Sequence, residues 1–226
     1  MVVSAIRGVI LDMDGTLVDS NDAHAQTWVE TLQAFGYKVT IEVVSPLIGQ
    51  GGDKILPRLT GCTSDSDIGR KIAAHRSELF QQQYLPSIQP FPGSRQLIEH
   101  MHNSGLRLVI ASSASREHLR HLIETLEIED FIDGATSASD VGDSKPDPDV
   151  VKAALAELGL DAGEVMMIGD TPYDIEAAAR VGVQTIALRC GGWNEEDLTG
   201  AVAVYADPAE LLARFESSPL AGHISR

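Results

Sequence analysis

The stretch Gly8-Val9-Ile10-Leu11-Asp12-Met13-Asp14-Gly15-Thr16 sets the reading of the rest of the chain. Val9-Ile10-Leu11 is a short apolar run that Gly15 ends, the pattern of a strand buried on both faces. Alternation along a strand sends Asp12 and Asp14 to one side. Two carboxylates about 4 Å apart repel by about 4 kcal/mol at an effective dielectric near 20, so a cation is expected beside them. Mg²⁺ suits the pair, because it takes hard oxygen ligands from one or two carboxylates and keeps positions for phosphate oxygens. Taken alone, Asp-x-Asp-Gly is equally compatible with a strand that ends in a turn. The rest of the chain has to decide.

Composition narrows the classes. The 226 residues suit one core domain with a modest insertion. A formal net charge of −16 argues against a nucleic-acid partner or an anionic membrane surface, both of which would be repelled. An anionic substrate would then have to be met locally, by a metal and a few placed cations. Cys62 and Cys190 fit neither a disulfide framework nor a paired metal-ligand spacing. With no basic-plus-apolar leader pattern and no run of membrane-spanning length, the expected compartment is the cytoplasm. Monomer and homodimer both remain open.

Beyond the first motif, Ala25, Trp28, Val29 and Leu32 recur at helical spacing, with Gly36 as a C-terminal stop. From there to about Tyr84 the chain reads as helices only, marked by Ile41/Val44/Ile48, Ile55/Leu56/Leu59 and Ile68/Ile72/Leu79/Phe80. The turn Gly49-Gln50-Gly51-Gly52 reads as an interhelix connection slightly better than as a substrate-facing loop. Three prolines between Pro86 and Gly93 exclude a helix and suggest the hinge by which the chain returns to its first domain. Strand and helix then alternate: strand 107–111, helix 115–126, strand 135–138, helix 149–158, strand 165–168, helix 174–181, strand 183–188 and a short strand 201–204. Such alternation implies parallel strands joined by right-handed crossovers. The expected architecture is α/β, a doubly wound Rossmann-like parallel sheet (residues 1–18 and 88–216) with a small all-helical insertion (19–87) and a frayed polar tail (217–226).

In an open α/β sheet, ligands sit outside the carboxyl ends of the strands. Four such ends carry suitable groups. Asp12 and Asp14 are the first. Ser112 and Ser113 follow the second, where hydroxyl and backbone N–H groups at a helix start can hold an anion, although such a serine is more often an N-cap. Lys145 precedes Pro146, which biases it to an extended backbone and so directs its ammonium. The fourth is Gly169-Asp170-Thr171-Pro172-Tyr173-Asp174, after Val165-Met166-Met167-Ile168. An N-cap role would account for Asp170 there but not for Asp174.

In this order, Asp-x-Asp-Gly-Thr, a strand-ending Ser, Lys-Pro and Gly-Asp-x-x-x-Asp resemble the haloacid dehalogenase superfamily of hydrolases, over Asp12 to Asp174. The helical insertion is similar to the cap of its phosphoglycolate phosphatase and β-phosphoglucomutase branch. The resemblance implies that Asp12 is the nucleophile that forms an aspartyl-phosphate. It implies that Asp14 protonates the leaving oxygen and then deprotonates water, which requires surroundings that raise its proton affinity. Asp12, Asp170 and Asp174 would hold Mg²⁺, with Asp14 contributing through its backbone carbonyl. Lys145, Ser112 and Ser113 would bind phosphoryl oxygens, and Thr16 would help position the group.

Asp14 also separates reaction types, since the resemblance gives dehalogenases a Tyr and phosphonoacetaldehyde hydrolases an Ala at that position. A phosphate ester of a small metabolite is the expected substrate. His24, Trp28 and Arg76 resemble the mutase branch; the form of the last motif, and the absence of an Arg from residues 49–52, favour a phosphatase. Substrate contacts are expected from His24, Gly51, Gly52 and Arg76. For His24 a plain boundary histidine, and for Arg76 and Lys54 plain surface ion pairs, explain the residues as well. A receiver-like phospho-accepting regulatory module is the rival from another class. Its phosphorylated Asp lies well into the chain, whereas Asp12 is on the first strand.

Overall fold

The computed structural model describes residues 5–221. The first apolar run forms β1 (Gly8–Leu11), all four residues buried. A short strand β2 (Val18–Asp19) leaves it and pairs antiparallel with β3 (Gln89–Pro90), so outgoing and returning chains cross side by side. Between them lie α1 (Asn21–Ala34), α2 (Ile41–Val44), α3 (Gly52–Thr60) and α4 (Asp67–Leu79). This helical segment has a core of its own, built from Ala25, Trp28, Leu32, Val44, Leu47, Ile55, Leu56 and Ile72. The proline-rich return is not wholly extended: Leu85–Ser87 makes a 3₁₀ turn with Pro86 near its start, where a missing N–H costs nothing.

The chain then runs through α5 (Ser94–Asn103), β4 (Arg107–Ala111), α6 (Arg116–Leu126), β5 (Gly134–Thr136), α7 (Asp149–Leu158), β6 (Val165–Gly169), α8 (Pro172–Ala179), β7 (Gln184–Leu188), β8 (Ala203–Tyr205) and α9 (Pro208–Ala213). Six parallel strands lie in the order β5-β4-β1-β6-β7-β8. Strand periodicity divides the core. Val9, Leu11, Leu108, Ile110, Met166 and Ile168 face α5, α6 and α9, whereas Ile10, Val109, Val165 and Met167 face α7 and α8. Both faces are thus covered by helices, the condition for near-continuous apolar strands.

Three differences from the sequence expectations have local causes. α5 was not anticipated, although Leu97, Ile98 and Met101 bury one face of it at helical spacing. The last strand starts two residues later than expected, because Ala201 sits in a turn bridged to Thr199. The tail is not frayed from residue 217: Ser218 is buried and Leu220 is fully buried in the main core. Residues 222–226 lie outside the described part. Among the described residues, no helix is long and apolar enough to cross a membrane.

Candidate active site

The sheet order reverses at β1, between β4 and β6, and the cleft opens at the carboxyl ends of these strands. Gly15, at φ +76°, turns the chain just past β1. Met13 is buried in the core, and Asp12 and Asp14 on either side of it both line the cleft. Asp12, Asp170 and Asp174 are buried and offer carboxylate oxygens within 4.8 Å of one another. Lys145, only 1% exposed, bonds Asp12 Oδ1 and, at 2.7 Å, Asp174 Oδ1. Asp170 receives only neutral donors: Thr16 Oγ1 at 2.8 Å and Asn21 Nδ2 at 2.8 Å.

Among the described residues one ammonium thus stands against three clustered carboxylates and bonds two of them, Asp12 and Asp174. Burial pushes Asp12 up to about 7 against the pull of Lys145, with Asp174 adding to the rise. Burial, then Asp174 and Asp12, hold Asp170 well above the usual carboxylate range. Lys145 itself is held upward: burial works against its charge, but the two acids outweigh it. A buried, oxygen-only set that lacks positive charge is what a hard divalent cation requires. The residues present fit Mg²⁺.

Asp14 stands apart from this set, and its side chain is not in the cluster of potential ligands. Oδ1 accepts from Ser20 Oγ at 2.7 Å and contacts His24 Nε2 at 2.9 Å, while Ser112 Oγ lies 3.5 Å from Oδ2. Arg76 reaches His24 Nδ1 at 3.0 Å. An arginine can only donate, so Nδ1 accepts and Nε2–H donates to Asp14. The raised proton affinity expected of Asp14 is absent. Burial would raise it, but the contacts with His24 and Ser20 outweigh burial and hold the carboxyl below the usual carboxylate range.

The remaining expected residues divide. Ser112 is fully buried, and its hydroxyl accepts from Ala114 N. It is not the cap of α6, a role taken by Ser115. Ser113 lines the cleft and reaches Gly49 O at 3.4 Å. The turn at residues 49–52, read as an interhelix connection slightly better than as a substrate-facing loop, does join the 3₁₀ turn Ser45–Leu47 to α3 and also lines the cleft; Gly51 N donates to Ser144 Oγ at 2.9 Å. A Cβ on Gly51 would lie 2.4 Å from that of Ser144. His24 and Arg76 also line the cleft, and Arg76 lies over the Trp28 ring at 4.6 Å. Burial lowers Arg76 to about 10, and its Nε has no partner among the described residues. Lys54 is a bridge, bound to Asp143 at 2.7 Å and Asp147 at 2.8 Å.

Thr171, not Asp170, caps α8, and Asp174 is the third residue of that capping box. Asp174 thus splits its carboxylate: Oδ2 takes Thr171 N and Oγ1, and Oδ1 takes Lys145. Sequence reasoning missed Ser20, Asn21, Ser144 and His118. For the first two a signal existed, since Ser20 opens a helix that starts right after the acidic motif. Its hydroxyl makes no capping bond and serves Asp14 instead.

A doubly wound sheet whose switch point gathers a lysine, a buried carboxylate triad and a separate fourth acid defines an α/β enzyme built to handle anionic oxygen groups. A family profile described as haloacid dehalogenase-like hydrolase matches residues 9–188, and the chain belongs to that family. It is similar to phosphoglycolate phosphatase of Yersinia pestis, 31% identical over 83% of this chain and 82% of that protein. Pyrophosphatase PpaX of Halalkalibacterium halodurans is 24% identical over 81% of this chain and 83% of its own. The crystal structure of a hydrolase from Pseudomonas syringae superposes with a TM-score of 0.84 at 27% identity, covering 93% of this chain and 98% of that one.

Proposed function

We propose that this protein hydrolyses a small phosphate ester or anhydride, of the phosphoglycolate, sugar-phosphate or pyrophosphate kind, with Mg²⁺ and an aspartyl-phosphate on Asp12. The chain is a haloacid dehalogenase-type phosphatase. The observation that carries the finer reading is the unequal sharing of one ammonium: Lys145 bonds Asp12 and Asp174 and leaves Asp170 without a cation. Asp12, Asp170 and Asp174 would hold Mg²⁺, which when bound would neutralise charge on the acids and on phosphoryl oxygens.

In this reading a carboxylate oxygen of Asp12 attacks phosphorus, and the P–O bond to the leaving group breaks with its electron pair. Lys145 and the Ser112 and Ser113 hydroxyls hold the phosphoryl oxygens, the kind of charge stabilisation on which phosphoryl transfer depends. Asp14, ionised and hydrogen-bonded by His24 and Ser20, suits the second step, in which it takes a proton from the water that attacks the aspartyl-phosphate. Donating a proton to the leaving oxygen in the first step requires that His24 contact to loosen. We take the helical segment as a cap, because its turn at residues 48–52 and its Arg76 close the cleft from above. A cleft of about 200 Å³ suits a small metabolite. The cytoplasm remains the proposed compartment, and the molecule acts as a monomer or homodimer.

A phosphosugar mutase is the second reading, favoured by the Arg76–His24–Asp14 chain. Residues 49–52 offer no cation for a second phosphate, and Lys54 is occupied by acids. Phosphate release from phosphoglycolate, pyrophosphate and sugar phosphates, with and without Mg²⁺ and with Asp12→Asn as blank, tests both. Release that needs the metal and Asp12 supports the phosphatase. Conversion of a hexose 1-phosphate to the 6-phosphate without release supports the mutase.

A further inference from the structure

Asn21 is the first residue of α1, and its side chain turns back to the sheet edge instead of out to water. Its amide nitrogen donates to Asp170 Oδ2 at 2.8 Å and to the Gly191 carbonyl at 2.9 Å. The Gly191 carbonyl can only accept, which fixes the orientation of the amide. Oδ1 is left buried with no donor among the described residues, an arrangement that costs stability.

Space for the pair comes from two glycines. A Cβ on Gly15 would sit 2.2 Å from Asn21 Nδ2 and 2.4 Å from Asp170 Oδ2. One on Gly191 would sit 1.8 Å from Asp170 Oδ2. Asp170 is itself fully buried, and its other oxygen is held by Thr16 Oγ1 at 2.8 Å. A donor on each oxygen fixes the plane of the carboxylate, and both donors are neutral. A lysine would supply the missing positive charge and displace a cation, an acid would add repulsion, and a serine is too short to serve Asp170 and Gly191 together.

We propose that Asn21 is a positioning residue of the cation site: its amide locks the Asp170 carboxylate in one orientation and leaves its charge for a divalent ion. The inference rests on the reading of Asp12, Asp170 and Asp174 as the Mg²⁺ site. Partners that orient a metal ligand typically contribute 10–100-fold to metal affinity.

The test is calorimetric titration of the metal-free full chain with MgCl₂, alongside melting temperatures in EDTA and in Mg²⁺. For Asn21→Ala, a dissociation constant weakened about tenfold or more, and a smaller Mg²⁺-induced rise in melting temperature, are expected. A residue that merely tied α1 to the sheet would lower both melting temperatures equally and leave the Mg²⁺ affinity unchanged, and that result overturns the proposal. If Asn21→Ala does not fold, Asn21→Ser takes its place: weaker binding than wild type supports the proposal, and equal binding overturns it. Wild-type protein that binds no Mg²⁺ overturns the metal reading itself and the inference with it. Wild-type binding that survives unchanged in the variants sinks the inference alone.

Discussion

Replacing Lys145 by methionine keeps much of the side-chain volume and removes the ammonium from the carboxylate cluster. The side chain is 1% exposed and bonds both Asp12 and Asp174, themselves buried. Each contact is worth about 4 kcal/mol gross at an effective dielectric near 20. Part of that sum is offset because the lysine's own desolvation cost disappears with it. Removing one partner of a buried ion pair costs about 3–5 kcal/mol net, a large fraction of the roughly 5–15 kcal/mol that holds a domain folded. For a chain of this size the melting temperature in EDTA should fall by about 6–20 °C. Mg²⁺ at about a hundred times its dissociation constant should return about 2.7 kcal/mol, because the acids regain a cation. Phosphate release should still be lost, since the phosphoryl group has lost its ammonium. Urea unfolding followed by circular dichroism, in EDTA and in Mg²⁺, measures both terms. A variant within about 1 kcal/mol of wild type in EDTA would show that Lys145 is not the neutralising charge of the cluster.

Gly191→Ala forces a methyl group against Asp170 and should cut Mg²⁺ affinity by about 10–100-fold with little change in far-UV circular dichroism; unchanged affinity would refute the packing argument. Lys54→Ala removes the bridge from the helical segment to Asp143 and Asp147, both partly exposed, so stability should change by less than about 1 kcal/mol. Its KM should nevertheless rise at constant kcat, because the bridge ties residues 49–52 to the loop that carries Lys145; an unchanged KM counts against that link. His118 is shifted downward, by burial first and then by His24 and Arg76. Its folded-state value therefore lies below the unfolded one, near 6.5, so its stability contribution is complete above pH 6.5 and is lost as pH falls through the lower folded value. Urea midpoints of wild type and His118→Gln should differ in slope over that window, and parallel curves would refute the assignment.

The fold was legible because its signals are local and repeated. Apolar runs ending in Asp12, Ser112 and Asp170 are strands whose carboxyl ends must lie on one edge once the crossovers are right-handed. α5 escaped because the three prolines before it drew the reading toward a loop, although Leu97, Ile98 and Met101 carry a helical face. At the site, the acids and Lys145 were readable as types at strand ends, but not the partition among them. Whether Lys145 serves Asp12 and Asp174 or Asp170 depends on side-chain reach across 29 and 133 residues of chain, which no local pattern encodes. Asp14 shows the same limit. Its low proton affinity follows from His24 and Ser20, which a helix beginning just after the motif brings back onto it. Asp174 was read as unaccounted for by capping because the cap was sought at Asp170, one residue too early.

The start of α1 joins the two halves of the site. Ser20 and His24 hold Asp14, while Asn21, between them in sequence, holds Asp170. Successive helical residues point about 100° apart, so neighbours at 20 and 21 diverge, whereas residues 20 and 24 share a face. One face thus holds the acid that would handle protons, and the next residue serves the acid that would face the cation. Arg76 of α4, which packs against α1 in the same helical segment, bonds His24 on its other ring nitrogen. If the helical segment acts as the proposed cap, a movement of it about β2 and β3 would carry His24 away from Asp14, the change that would let Asp14 take up a proton before the leaving group departs. In that reading substrate closure and proton supply would be coupled through α1, and the coupling should appear as a loss of kcat in His24→Gln larger than its loss of Mg²⁺ affinity.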